Sequence, residues 1–310
     1  MDRVVVIANP VASQFTGGAH RDVMAIFDKT AEVRPLWPGS GPEAAEVAAG
    51  AVADGVNVVV AMGGDGIVHH VAQGVVGSEA VLGIIPVGTT NVFARILGLP
   101  SRPTKAAKLI ARSNPPRRVG VAGMTLLRGS VETRHYALFS CGLGLDAEIV
   151  VEADTDPYRK YRFGSLHYAS TALAVALGRF PGRRPHIEAR CGDRKAKGIS
   201  AIFQFREVYT YFGRRRITII PEAPAPMALL VMIRLARRRL PRIAFDALVR
   251  GDLRDVRGFE VWEGVEEVSF QANPPAPAQA DGEALGMVDA ASVSWLPDAL
   301  QVASPYWSAR

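Results

Sequence analysis

Cysteine is nearly absent: Cys141 and Cys191 stand far apart, outside any metal-ligand spacing. That excludes a disulfide framework and a cysteine-based zinc site. Long apolar runs are missing too. The most apolar ones, Tyr168 to Leu177 and Met227 to Leu235, fall well short of the roughly 20 residues of a membrane-spanning helix. The apolar stretch after Met1 is too short for a signal peptide and reads as a first β-strand. Charged residues are few, 21% against 48% hydrophobic, which excludes a largely disordered chain. Aromatic residues make up 7% and do not alternate with basic ones, so a stacking groove for single-stranded nucleic acid is excluded. A soluble protein of a reducing cytoplasm is expected.

What is present is apolar bulk and arginine. The 310 residues suffice for a sizeable core and favour two domains over one. The net charge of +6 is concentrated in Arg183-Arg184, Arg214-Arg215-Arg216 and Arg237-Arg238-Arg239, with Arg242 close behind. Each cluster fits a solvated face. Together they also fit an anionic partner, and with nucleic acid set aside that partner is an acidic membrane surface. No residue pattern specifies an oligomeric state.

The first 120 residues alternate strand and helix signals. Val4 to Ala8, Glu32 to Leu36, Asn57 to Met62 and Val81 to Ile85 predict strands. Gly18 to Lys29, Glu43 to Asp54, Ile67 to Val76, Asn91 to Leu97 and Thr104 to Ala111 predict helices. Strands apolar on both sides, alternating with helices, imply a parallel sheet covered on both faces, a three-layer α/β domain. After Asn114-Pro115-Pro116 the pattern changes. Val119 to Leu127, Glu132 to Ser140, Pro185 to Cys191, Ile199 to Phe205, Arg216 to Ile220, Ala228 to Arg234 and Glu266 to Ala272 predict strands, interrupted by a helix at about Phe163 to Leu177. This half predicts a mainly antiparallel β-sandwich. The proline-rich Asn273 to Ala278 reads as a loop delivering Asp281-Gly282-Glu283.

A buried strand runs directly into Gly63-Gly64-Asp65-Gly66 and then a helix. Glycines let backbone approach a ligand closely, and the helix start presents unpaired N–H groups and a positive dipole end that attract phosphate. The lysine of a P-loop and the spaced glycines of a dinucleotide fold are both missing. Taken alone, the four residues fit a bare strand–helix turn as well as a phosphate loop. Pro86-Val87-Gly88-Thr89-Thr90-Asn91 leaves the next strand in the same manner, and two such tips side by side make a nucleotide cleft.

These residues resemble the diacylglycerol kinase catalytic-domain family, which includes bacterial lipid kinases and sphingosine kinases. The likeness is carried by Asn9-Pro10, by Gly63 to Gly66, by Pro86 to Arg95, by Gly142-Leu143-Gly144-Leu145-Asp146-Ala147, by Gly164 with Tyr168, and by Asp281-Gly282-Glu283. It implies an ATP-binding α/β domain over 1–118 plus about 299–310 and a β-sandwich substrate domain over 119–298. The cleft between them would be active, with Leu300 to Arg310 beside the first half. The implied activity is an ATP-dependent lipid kinase with a diacylglycerol-like acceptor. Asn9, Pro10, Gly63, Gly64, Asp65, Gly66, Gly88, Thr89 and Asn91 would bind ATP. Glu283 would be the catalytic base with Asp281 assisting, and Asp65 and Asp281 would hold Mg2+. The chain departs from the pattern at Ile67 (threonine in the family), at His69-His70 (Asn-Glu), at Ala12-Ser13 and at Val92. It departs again where Pro226-Met227 replaces an Asp-Gly that helps bind a structural magnesium in relatives.

Other roles fit the same residues. Asp65 and Asp146 are at positions that cap helices, and Asp281-Gly282 is a natural turn pair. On an extended segment Asp281 and Glu283 point to the same side. His69 and His70 point about 100° apart on a helix, which favours surface or phosphate-side contacts over a shared metal. Arg95 is placed to reach phosphate or solvent, and Cys141 reads as a small buried residue. A peripheral enzyme must visit a bilayer, and Arg237 to Arg242 near Leu235 and Leu240 would supply the contact. Two other classes share parts of the pattern: a kinase of NAD, with the same glycine loop, and a non-catalytic lipid or nucleotide sensor of the same fold.

Overall fold

The computed structural model of the chain describes residues 3–112, 115–155, 182–213, 215–222 and 225–305, with positions 171, 174, 175 and 178. The helix expected over Phe163 to Leu177, with Gly164 and Tyr168, lies largely outside the described residues, as do Arg214, Ala223 and 306–310. Two compact units divide the chain, Met1–Val121 with Leu296–Arg310, and Ala122–Trp295.

The first unit alternates β1 (Arg3–Ala8), α1 (Gly17–Phe27), β2 (Glu32–Leu36), α2 (Gly41–Ala53), β3 (Val58–Gly63), α3 (Asp65–Val75), β4 (Val81–Pro86), α4 (Val92–Ile96) and α5 (Pro103–Ala111). The strands are parallel in the order β2-β1-β3-β4. All of β3 is buried, as its valine-rich run requires of a strand covered on both faces. Val4, Val6, Val58 and Val60 point to one face, where Phe27 of α1 and Ile110 of α5 meet them. The alternate residues Val5, Ile7, Val59 and Ala61 are buried as well, so the opposite face belongs to α2 and α3, which pack on each other. Thr16 caps α1, accepting from the Ala19 N–H at 3.1 Å, and Ser40 caps α2, accepting from the Glu43 N–H at 3.3 Å. Because β1 has β2 on one side and β3 on the other, the strand order reverses between β1 and β3. Their C-terminal tips form a switch point of the kind where α/β sheets bind ligands.

The chain leaves this unit within β5 (Arg117–Arg128), which makes a hairpin with β6 (Val131–Ala137). There follow β7 (Ser140–Gly144), α6 (Leu145–Asp154), β8 (Ile187–Cys191), β9 (Arg194–Gly198), β10 (Ser200–Gln204), β11 (Thr210–Phe212), β12 (Arg215–Ile217) and β13 (Met227–Met232). A 3-10 turn, Arg237–Arg239, then leads into α7 (Leu240–Phe245) and a π-helical turn, Asp246–Arg250. β14 (Phe259–Val265), β15 (Glu267–Ala280) and β16 (Glu283–Val302) complete the chain. In the second unit β14-β13-β10-β7-β15-β16 are antiparallel neighbours. Its core gathers Met124, Leu126, Phe203 and Phe270, the two phenylalanines edge to face at 5.8 Å. The fold class is the expected one, a parallel α/β domain followed by mostly antiparallel strands.

The proline-rich segment is not a loop. Asn273 to Ala278 lies inside β15, whose pairing with β16 shifts register between Gln271 and Ala276. Pro274 and Pro275 occupy that irregularity, the place in a ladder where a missing N–H costs least. Met227, part of the Pro226-Met227 departure, opens the fully buried β13. The last residues of β16 return to the first unit, Gln301 and Val302 pairing in parallel with Val81 and Leu82 of β4.

Candidate functional site

Three segments meet beyond the tips of β1, β3 and β4. The turns after β3 and β4 touch backbone to backbone: a Cβ built on Gly88 would overlap the Gly64 Cα and meet the Asn91 Oδ1 at 2.8 Å. Only glycine permits this approach. Asp65, in the first turn of α3, accepts from the backbone N–H groups of Val92 (2.9 Å) and Phe93 (3.1 Å). It therefore caps α4 rather than its own helix. Asn91 is left-handed at φ 49°. Its Oδ1 accepts from the Gly88 N–H at 3.0 Å and its Nδ2 donates to the Gly88 carbonyl at 2.7 Å. Asn9 accepts from the Val11 N–H at 3.0 Å, bending the chain past the exposed Pro10. The Gln14 N–H donates to the Val87 carbonyl at 2.9 Å, and the hydroxyls of Ser13 and Thr89 lie 2.9 Å apart.

Asn9, Asp65 and Asn91, all expected on the nucleotide, thus close and join the loops that carry them. What faces outward is backbone and hydroxyl. Gly64 starts α3 with no side-chain cap, so the first-turn N–H groups are presented at the loop. Thr89 is exposed beside Ser13. Ile67, directly after the glycine loop, is 8% exposed and its side chain covers the Gly63 Cα. His69 corrects its expectation: it is 1% exposed, so it is neither at the surface nor on a phosphate. The His70 ring lies against the Gly41 backbone at the start of α2.

An aromatic trio at the neighbouring tips was not anticipated. Phe15 meets Trp37 edge-on at 5.8 Å, and His20 lies 4.5 Å from Trp37. Trp37 is 47% exposed at the end of β2, and burial holds the His20 pKa below its ordinary value. Trp37 follows a predicted strand and precedes the Pro-Gly break, a position that could have marked it.

In the second unit, Asp281-Gly282 is a two-residue hairpin turn between the paired Ala280 and Glu283. Both central residues have positive φ, 54° and 83°, the left-handed geometry that Asp-Gly favours. The extended arrangement expected for Asp281 and Glu283 is thereby corrected. Asp281 is 4% exposed and accepts from the backbone N–H groups of Leu138 (2.8 and 3.0 Å), Phe139 (2.9 Å) and Ser140 (3.2 Å). Successive N–H groups converging on one carboxylate form an anion nest. Glu283 is half-buried at the start of β16.

The same turn is held from below. The Gly282 N–H donates to the Gln279 Oε1 at 3.0 Å, and the Gln279 Nε2 donates to Asp146. The Tyr209 hydroxyl donates to the other oxygen of Asp146 at 2.5 Å. Burial raises the Asp146 pKa, opposed by these two donors. Burial, and then the Asp146 charge, raises that of Tyr209 well above its ordinary value. Cys141 is fully buried and its thiol is pushed up by burial, then by the charges of Asp281 and Asp146. The glycine-rich Asp-Ala segment and the Asp-Gly-Glu segment, 133 residues apart, are one hydrogen-bonded assembly.

The two residues expected to hold Mg2+ both serve backbone N–H groups. Asp281 is enclosed by backbone donors, and each Asp65 oxygen already accepts an N–H. No group of three metal-ligating side chains occurs among the described residues. A cavity of about 430 Å³ lined by Val56, Asn57, Glu79 and Ile110 lies at the N-terminal edge of the sheet, away from the strand tips that bind ligands in α/β folds. Leu235 and Leu240, expected beside Arg237–Arg242 as bilayer contacts, pack on a core cluster instead. No helix among the described residues is long and apolar enough to cross a membrane.

An α/β unit with a bare glycine loop at its switch point, followed by antiparallel strands carrying a buried carboxylate turn, defines the class of protein. Residues 3–122 match the family model of the diacylglycerol kinase catalytic domain. A relative named "Diacylglycerol kinase" from Mycobacterium tuberculosis (strain ATCC 25618 / H37Rv) is 35% identical over 107 residues, 34% of this chain and 35% of that one. "Probable lipid kinase YegS-like" from Stenotrophomonas maltophilia (strain K279a) is 34% identical over 155 residues, 48% of this chain and 47% of that one. The matches span between a third and a half of these curated relatives' length. A crystal structure of a diacylglycerol kinase from Bacillus anthracis str. Sterne matches with a TM-score of 0.73 and 17% identity, covering 98% of this chain and 97% of that one. At that identity the likeness is one of fold.

Proposed function

We propose that the protein is an ATP-dependent lipid kinase that transfers the γ-phosphate to the hydroxyl of a diacylglycerol-like lipid. The observation that carries the proposal is the contact of Gly64 with Gly88, which joins two strand tips into one surface of backbone N–H groups at the start of α3. Phosphoryl transfer asks mainly for positioning and charge stabilisation. The N–H groups of Gly64 to Gly66 and the Thr89 and Ser13 hydroxyls are suited to a polyphosphate. Trp37 and Phe15 offer an apolar face to a nucleobase at the adjacent tip.

Glu283 is the proposed base. It follows a turn fixed by the Asp281 nest and by Gln279, so it starts from a rigid backbone. Asp281 positions that turn and takes no part in proton transfer. Mg2+ is expected as the counter-ion of ATP, and no protein ligand is assigned to it. The names borne by the relatives, diacylglycerol kinase and lipid kinase, support the substrate class.

The test is transfer of labelled γ-phosphate from ATP to a panel of hydroxylated lipids by wild type and Glu283→Gln. The variant is expected to lose at least about 100-fold in kcat, the lower range for general-base catalysis, with ATP binding kept. Transfer by Glu283→Gln at the wild-type rate removes the base. Failure of every lipid to accept phosphate removes the proposal.

A further inference from the structure

The segment between β13 and β14 is built unlike the rest of the surface. From Arg237 to Arg257 it holds seven arginines and three aspartates, a surplus of four in a chain of net charge +6. Leu240, Ile243 and Ala247 pack inward on the core. On the other side of the helix Phe245 is 50% exposed, Leu248 36% and Val249 60%. Their i, i+3, i+4 spacing puts the three on one face. They account for three of the eight large apolar side chains exposed among the described residues, and no other such group clusters within five positions.

The arginines flank this face in fixed positions. Asp246, 3% exposed, pairs with Arg242 at 2.7 Å and Arg250 at 3.4 Å, one helical turn before and after it. Those guanidiniums remain 65% and 48% exposed. Arg237 and Arg238 are exposed on the preceding 3-10 turn. Arg239 donates to the Arg257 carbonyl at 2.8 Å. Its pKa lies below the ordinary value, from desolvation first and then from the guanidiniums of Arg257, Arg238 and Arg234. The cations therefore crowd one another, and an anionic surface would relieve that repulsion.

We infer that residues 237–250 form a membrane-docking surface, Phe245, Leu248 and Val249 entering the interface of an anionic bilayer while Arg237, Arg238, Arg242 and Arg250 contact lipid headgroups. An apolar stripe rimmed by arginine is the chemistry of an interfacial anchor. A water-soluble acidic partner would need a matching apolar patch of its own to cover the stripe. The inference rests on the lipid-kinase reading for its purpose, since an acceptor held in a bilayer requires the enzyme to reach it, but its test does not depend on turnover.

The full-length chain is sedimented with vesicles of phosphatidylcholine alone and of phosphatidylcholine with phosphatidylglycerol. Wild type is expected to bind the anionic vesicles and not the neutral ones, less so at high salt. Arg237→Gln with Arg238→Gln should lose about 30-fold in vesicle affinity, at roughly five-fold per arginine. The triple variant Phe245→Ser, Leu248→Ser, Val249→Ser should lose binding while keeping the wild-type circular dichroism and melting temperature. Both variants should transfer phosphate normally to acceptor presented in detergent micelles. Equal binding of wild type to both vesicle types, or variants that sediment as wild type does, overturns the inference. So does a triple variant that changes only the oligomeric state, which would make the stripe a contact between copies. Should no lipid accept phosphate, the kinase reading fails and vesicle binding still decides this one.

Discussion

Replacing Asp65 separates two roles that the motif alone confounds. If the carboxylate chiefly binds a metal, Asp65→Ala should leave the unliganded protein as stable as before. The structure gives it another task, since it accepts from the Val92 and Phe93 N–H groups at 2.9 and 3.1 Å and ties the β3 and β4 turns together. Hydrogen bonds to a charged group contribute about 1.5–3 kcal/mol each. Asp65 is only half-buried, so the lower value applies, and losing both bonds costs about 3 kcal/mol. At roughly 2–4 °C per kcal/mol for a domain of this size, Asp65→Ala should melt some 6–12 °C below wild type. Asp65→Asn keeps one acceptor and should lose about half as much. The assay is thermal melting in excess EDTA without nucleotide, so that no metal contributes. An Asp65→Ala protein that melts with wild type under those conditions refutes the brace, and the joined loops would then need another cause.

Gly88→Ala drives a Cβ into the Gly64 Cα. Overpacking of this kind costs about 1–3 kcal/mol, and ATP should bind at least tenfold more weakly while KM for the lipid stays unchanged; equal ATP affinity would separate the two loops from nucleotide binding. Asp146 offers a pH test. Its pKa is raised in the folded protein, so the native state holds a proton at pH values where the unfolded chain has lost it. By linkage its contribution to stability grows as pH falls from neutrality through the raised value toward the ordinary aspartate value near 3.8. Asp146→Asn lacks that titration, so urea midpoints at pH 7 and pH 5 should favour wild type more at pH 5; an equal difference at both values contradicts it.

Most of the α/β unit could be read in advance because its signals are local. Val58 to Met62 is apolar without interruption, and Gly63 to Gly66 breaks it where a turn must come. The antiparallel unit was harder. β7, β9, β11, β14 and β16 were missed, and β16 is the longest strand, Glu283–Val302. Gly286, Asp289 and Pro297 interrupt its pattern, and long-range pairing with β15, not propensity, holds it extended. The proline run in β15 misled for the same reason, since partners on either side keep a strand going past residues that cannot donate. The site was legible as a set of residues and not as a set of contacts. Nothing local joins Asp146 to Gln279, or Asp65 to Val92.

Four of the polar side chains that make the motifs recognisable are turned toward the protein's own backbone. Asn9 bends the first loop, Asp65 and Asn91 fasten the two glycine turns, and Asp281 fills a nest of three N–H groups. Each serves donors that would otherwise stay unpaired, at a place where main chain must lie open to a ligand. A loop that binds phosphate through N–H groups cannot also satisfy them internally, so its rigidity has to come from side chains behind it. On this argument Asp65 and Asp281 are braces first, and the groups left for the proposed chemistry are the first turn of α3 and the Ser13–Thr89 hydroxyl pair in the first unit and Glu283 in the second. Asp281 already accepts from three backbone N–H groups, which is why the proposed proton transfer falls to Glu283, the other carboxylate of that turn.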